Sequence, residues 1–224
     1  MHLRYDCARP ISLGMTQITH DAVTRGKPRL HDFGSGGPGG VPAALIMMLF
    51  FGSEGVARAS ALATHWQPAV PEAAFVGIEL DWPADPLLLR SAVRHASNVH
   101  AVQSMQTVLF GMGAAGGMAV ESVLQGLLPI AGVIGVDISA GSENRRMVAS
   151  AAMVRLIQHS ADDDPRASGL QTLVNDMRRH ELDVRSMVLP SASRSDPAVA
   201  IRASGTFLVE LVANASRASG IPRS

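Results

Sequence analysis

The stretch TVLFGMGAAGGMAVESVLQG, residues 107–126, concentrates the chain's chemical potential, because a buried strand there runs through a glycine-rich turn straight into a helix. Two chemistries use that geometry. In one, the turn is a nucleophile elbow: a strained corner lifts one side chain above a sheet, with a helix N-terminus behind it and small residues on either side. In the other, Gly111, Gly113 and Gly116 spell G-x-G-x-x-G, and Asp137 lies 21 residues beyond Gly116. Backbone N–H groups of such a turn cradle a pyrophosphate, and the acid meets a ribose hydroxyl of NAD(P).

Other reactive residue types carry weaker patterns. His159 stands at a strand end beside Asp162, Asp163 and Asp164, and its default reading is an imidazole satisfied by backbone rather than a base or metal ligand. Three consecutive carboxylates cannot converge on one cation, so they read as a solvated loop. His95 and His100 are five apart and share no helix face, so no metal is expected there. His180, after Arg178 and Arg179, suits a helix C-terminus. Ser139 and Ser142 follow Asp137 at the carboxyl edge of the expected sheet, where ligands gather, and are candidate replacement nucleophiles. Cys7 is the sole cysteine, which excludes an intrachain disulfide and a cysteine-based zinc site.

The elements that must position these residues alternate between short apolar runs and amphipathic stretches, the pattern of βα units around a buried, mostly parallel sheet. Strands are expected at 44–51, 74–80, 107–110, 132–138, 153–158 and 184–189, and helices at 56–66, 86–99, 117–128, 170–180 and 197–213. Residues 1–40 end in GSGGPGG and read as a loosely ordered lead-in with little packed structure, and 41–224 as one domain. At least two strands precede the glycine turn, whereas a dinucleotide fingerprint normally follows the first strand of its domain.

Read against a G-F-S-x-G-G-A-M-A corner, the segment Phe110–Val120 (FGMGAAGGMAV) resembles the carboxylesterase/phospholipase family of α/β-hydrolases, the acyl-protein-thioesterase-like group. The resemblance extends over residues 43–213. It implies an α/β-hydrolase fold, with a mostly parallel central sheet and helices on both faces. It puts Gly113 at the nucleophile position. The family's L-H-G-x-G turn corresponds to Phe50–Gly55, without the histidine. Its H-G-x-x-D acid motif corresponds to His159–Asp163, so Asp163 holds the acid position. Its G-x-G-H base loop corresponds to Ser191–Arg194, with arginine in place of histidine.

By that resemblance only the carboxylate of a Ser-His-Asp triad remains. Gly113 has no side chain to acylate, and the Arg194 guanidinium stays protonated near neutral pH. An oxyanion hole is made of backbone and can outlive the triad. Its donors here would be the N–H groups of Ala114 and Ser53. Arg194 beside Asp163 reads either as an ion pair plugging the site or as a fork for a carboxylate or phosphate.

The expectation is therefore a catalytically degenerate hydrolase-fold protein that acts by binding a small acyl or anionic ligand, a protein partner or a second copy of itself, with no cofactor. Trp66 and Trp82 are the candidates for an exposed dimer contact. Two alternatives stand beside it: an active carboxylic-ester hydrolase with its nucleophile moved to Ser139, Ser142 or Ser53, and an NAD(P)-binding protein using Gly111, Gly113, Gly116 and Asp137.

Composition narrows the partners. Of the 224 residues 47% are apolar and 17% charged, a globular balance, and 19 basic residues match 19 acidic ones. That leaves no global field to gather nucleic acid. The longest apolar run, 41–51, falls far short of the roughly 20 residues that span a bilayer. The opening MHLRYDCARPISLGM lacks the apolar core of a secretory signal, and a cytoplasmic location is expected.

Overall fold

Runs of adjacent apolar residues bury both faces of a strand, and four such runs build the centre of this molecule. The computed structural model describes residues 27–34, 45–52, 55–71, 73–81, 84–138, 147–148, 152–160 and 165–218. In chain order its elements are β1 (Arg29–Gly34), β2 (Leu45–Phe51), α1 (Val56–Trp66), β3 (Ala73–Glu79), α2 (Pro86–Val99), β4 (Thr107–Met112), α3 (Gly113–Leu124), β5 (Gly132–Val136), β6 (Met153–Ser160), α4 (Pro165–Arg179), β7 (Val184–Pro190) and α5 (Pro197–Ala218). The described strands form one sheet in the order β1-β3-β2-β4-β5-β6-β7. All neighbours are parallel except β1, which runs antiparallel to β3. This is the doubly covered α/β architecture that the alternating pattern predicts.

Helices cover both faces. On one, Leu89 and Val93 of α2, Val120 and Val123 of α3, and Leu173 and Val174 of α4 pack on the sheet. On the other, Leu62 and Trp66 of α1 meet Phe207 and Leu211 of α5. The α2 start is written locally: the Asp85 side chain accepts from the Leu87 N–H at 2.8 Å, and Pro86 opens the first turn. Trp66 is 1% exposed. Its indole N–H donates to the Ile201 carbonyl at 3.2 Å and its ring meets Phe110 edge-on. It is therefore a core residue and not the surface contact that the sequence suggested. Trp82 lies outside the described residues.

Other expectations change as well. Residues 29–34 are not unpacked lead-in: they form the edge strand, held by the buried carboxylate of Glu79. That group accepts from Arg29 Nη1 at 3.1 Å and pairs with His31 Nε2 at 2.7 Å, while Phe33 and Phe51 flank the His31 ring. α3 begins at Gly113 rather than Gly117, since its glycine-rich first turn is set by close packing on β4 and not by helix propensity. α5 runs on to Ala218, beyond the expected 213. No helix among the described residues is long and apolar enough to cross a membrane.

Candidate functional site

The β4–α3 corner is built by three glycines with different tasks. Gly113 adopts φ +57°, the left-handed region that L side chains rarely enter, and a Cβ placed on it meets no heavy atom within 4 Å. The corner is thus bent like a nucleophile elbow while its apex carries no side chain. Gly111 and Gly116 face each other instead: a Cβ on Gly116 would lie 2.5 Å from the Gly111 carbonyl oxygen, and one on Gly111 would lie 2.7 Å from the Gly116 nitrogen. Both glycines are occupied in bringing α3 onto β4.

Beside this corner a cavity of about 200 Å³ opens between the ends of β2 and β4 and the start of α1. Leu49, Phe51, Leu62, Phe110 and Met112 form its apolar wall, and Gly52 and Ala114 bring backbone to it. Arg58 is the charged residue among those that line it. Neither α1 nor α3 has a side-chain cap or an acidic residue in its first turn. Their leading N–H groups therefore keep the partial positive charge of helix N-termini. Gly55 donates its N–H to the Gly52 carbonyl at 2.8 Å, which closes the turn between β2 and α1.

One strand further along, the edge carries a pair that the sequence did not suggest. Met112 of β4 is paired with Val136 of β5, and Val136 with Ile157 of β6, so Gly113, Asp137 and Gln158 follow at one level. Asp137 sits at φ +50°, a left-handed backbone that costs a non-glycine residue about 1–2 kcal/mol. Its carboxylate accepts from the His159 N–H at 2.8 Å and from Gln158 Nε2 at 3.4 Å, and lies 3.0 Å from His159 Nδ1. His159 is 2% exposed. The reading of its imidazole as satisfied by backbone is therefore corrected: a carboxylate holds it. The same bonds engage the acid that a ribose hydroxyl would need.

Of the residues singled out from sequence, Gly113 and Ala114 meet at the corner. Arg194 lies in the 3-10 turn Ser191–Ser195 directly after β7, and its side chain is outside the described atoms. Ser53, Ser139, Ser142 and Asp163 lie outside the described residues. His95 stays on the exposed side of α2, and His180 Nδ1 bonds the Asp176 carbonyl at 2.9 Å. No group of three or more metal-ligating side chains occurs among the described residues.

The chain resembles known proteins in fold and not in sequence. No family model and no curated sequence matches it. Solved structures do. Esterase PE8 is 18% identical, with a TM-score of 0.63 over 84% of this chain and 99% of that one. The Bacillus cereus carboxylesterase is 9% identical, with a TM-score of 0.60 over 85% of this chain and 96% of that one. A hormone-sensitive lipase from a metagenome library is 14% identical, with a TM-score of 0.56 over 85% and 86%. At these identities the likeness establishes the fold: an α/β-hydrolase fold of the kind esterases use.

Proposed function

We propose that this protein binds a small acyl or anionic ligand at the β4–α3 corner and does not form an acyl-enzyme there. The observation that carries this reading is the corner itself. Gly113 has the left-handed φ of an elbow and open space above it, yet no atom that can attack a carbonyl. What supports retained binding is the cavity beside it, to which Ala114 contributes. A backbone N–H at that place stabilises negative charge on oxygen without help from a triad. The arginine at position 194, where the resembled family has its histidine, agrees with the loss of proton transfer.

A fluorophosphonate probe followed by intact mass tests this directly. The expected result is no covalent adduct and no p-nitrophenyl butyrate turnover above buffer, together with a rise in melting temperature on adding a short acyl ligand. A stoichiometric serine adduct with turnover overturns the reading.

A second reading, an ester hydrolase whose nucleophile lies away from position 113, draws on Asp137 and His159. A carboxylate bonded to Nδ1 orients an imidazole for proton transfer. On that reading His159→Gln lowers ester turnover by about a hundredfold or more. Equal turnover in the variant ends it. The dinucleotide reading has less support, since Gly111 and Gly116 serve helix packing and Asp137 serves His159.

A further inference from the structure

We infer that Arg58 makes the corner cavity selective for a free carboxylate on a short apolar chain, rather than for a neutral ester or amide. The inference rests on the cavity being the binding site, as proposed above, and goes further by naming the ligand's charge and the residue that reads it.

Three independent features converge on Arg58. It lines a cavity whose other walls are mostly apolar and is the charged side chain among the described residues there. Among the described residues it has neither an ion-pair partner nor a hydrogen-bonding acid, so no carboxylate of those residues neutralises it. It is also the third residue of α1. The helix macrodipole places positive potential at that end, which disfavours a cation and favours an anion. The first turn that carries this guanidinium holds no acid and no side-chain cap to offset it. The start of α3 adds the same sign of potential from the other side of the cavity through Ala114.

A carboxylate at the mouth relieves all of these at once. It accepts from the planar guanidinium fork and compensates both helix ends, while its aliphatic chain occupies the wall made by Leu49, Leu62 and Phe110. A neutral ester or amide gains the apolar contact but only a weaker bond to its uncharged carbonyl oxygen. Arg58 itself is exposed, so replacing it leaves the core untouched.

Isothermal titration of the full chain with sodium hexanoate and with hexanamide, an uncharged ligand of the same length, tests the inference. Hexanoate is expected to bind the natural protein about tenfold more tightly than hexanamide, and Arg58→Gln is expected to erase that ratio by weakening hexanoate alone. Arg58→Lys retains part of it, since the charge stays and the fork is lost. Hexanamide binding as well as hexanoate, or an unchanged ratio in Arg58→Gln, overturns the role of Arg58 and leaves the cavity as a neutral acyl site. If neither ligand binds at millimolar concentration, the cavity reading fails and the inference fails with it.

Discussion

Arg155→Ala is expected to lower the unfolding free energy by about 2–5 kcal/mol, the range for cutting a large buried side chain back to alanine. Arg155 stands in β6 with a fully buried side chain. Its Nε and Nη2 donate to the two Glu210 oxygens at 3.1 and 3.0 Å, and its Nη1 and Nη2 donate to the Asp183 carboxylate at 3.1 and 3.3 Å. Nη1 also reaches the carbonyls of Val154 and Asp183, both at 3.0 Å. Burial alone disfavours a charged guanidinium. The bonds from Glu210 and Asp183, with their charges, outweigh it and hold Arg155 above its ordinary value.

This one side chain thereby joins β6, the entry to β7 and α5. Alanine removes those connections and leaves a void where a long side chain stood. Arg155→Met separates the two causes: it restores most of the volume while Glu210 keeps its bond to Arg185, so its cost is expected to be smaller. Urea unfolding measures both variants. Fluorescence of Trp66, which bonds α5 through Ile201, reports whether that helix loosens. A loss below about 1 kcal/mol for alanine would mean that solvated Asp183 and Glu210 need no arginine.

Gly116→Ala is expected to destabilise the ligand-free protein by about 3 kcal/mol, at the upper end of overpacking costs. The new methyl would stand 2.5 Å from the Gly111 carbonyl oxygen and 2.9 Å from its carbon. These are backbone atoms of a central strand and cannot rotate away, so α3 must lift from β4, taking Gly113 and Ala114 with it. Binding of hexanoate should weaken in parallel. Gly117→Ala is the internal control: its Cβ meets nothing within 4 Å, and removing a helical glycine is worth about 0.5–1 kcal/mol of added stability. The pair also separates packing from cofactor binding. If Gly116 existed to admit a pyrophosphate, alanine would leave the melting temperature without ligand unchanged. Native stability in Gly116→Ala would sink the packing account.

These results rest on features of unequal visibility in the sequence. α1 and α2 are found with the expected bounds, because their apolar residues recur with helical spacing and Asp85-Pro86 marks the start of α2. The inner strands are continuous apolar runs, and that is what burial on both faces requires. β1 was missed for the opposite reason. It is a short, half-exposed edge strand, and its anchor Glu79 lies 50 residues from Arg29. A charge in a strand, as at Arg155, carries no local sign of burial, since its partners come from the entry to β7 and from α5.

The carboxyl edge of the sheet shows the same division. The glycine turn names its own position in the fold, because strand, tight corner and helix follow one another without interruption, and its lack of a side chain at residue 113 is a property of the sequence. The meeting of Asp137 with His159 is not. Each residue belongs to its own strand end, and only the parallel pairing of β5 with β6 brings them within 3.0 Å. The sequence alone therefore determined the layered architecture and the empty apex at Gly113, since periodicity and missing atoms are local properties. The tertiary structure decided that Gly111 and Gly116 pack on each other, that Asp137 holds His159, and that Arg58 faces the corner cavity. Those depend on strand register and helix docking, which long-range packing sets and no local spacing encodes.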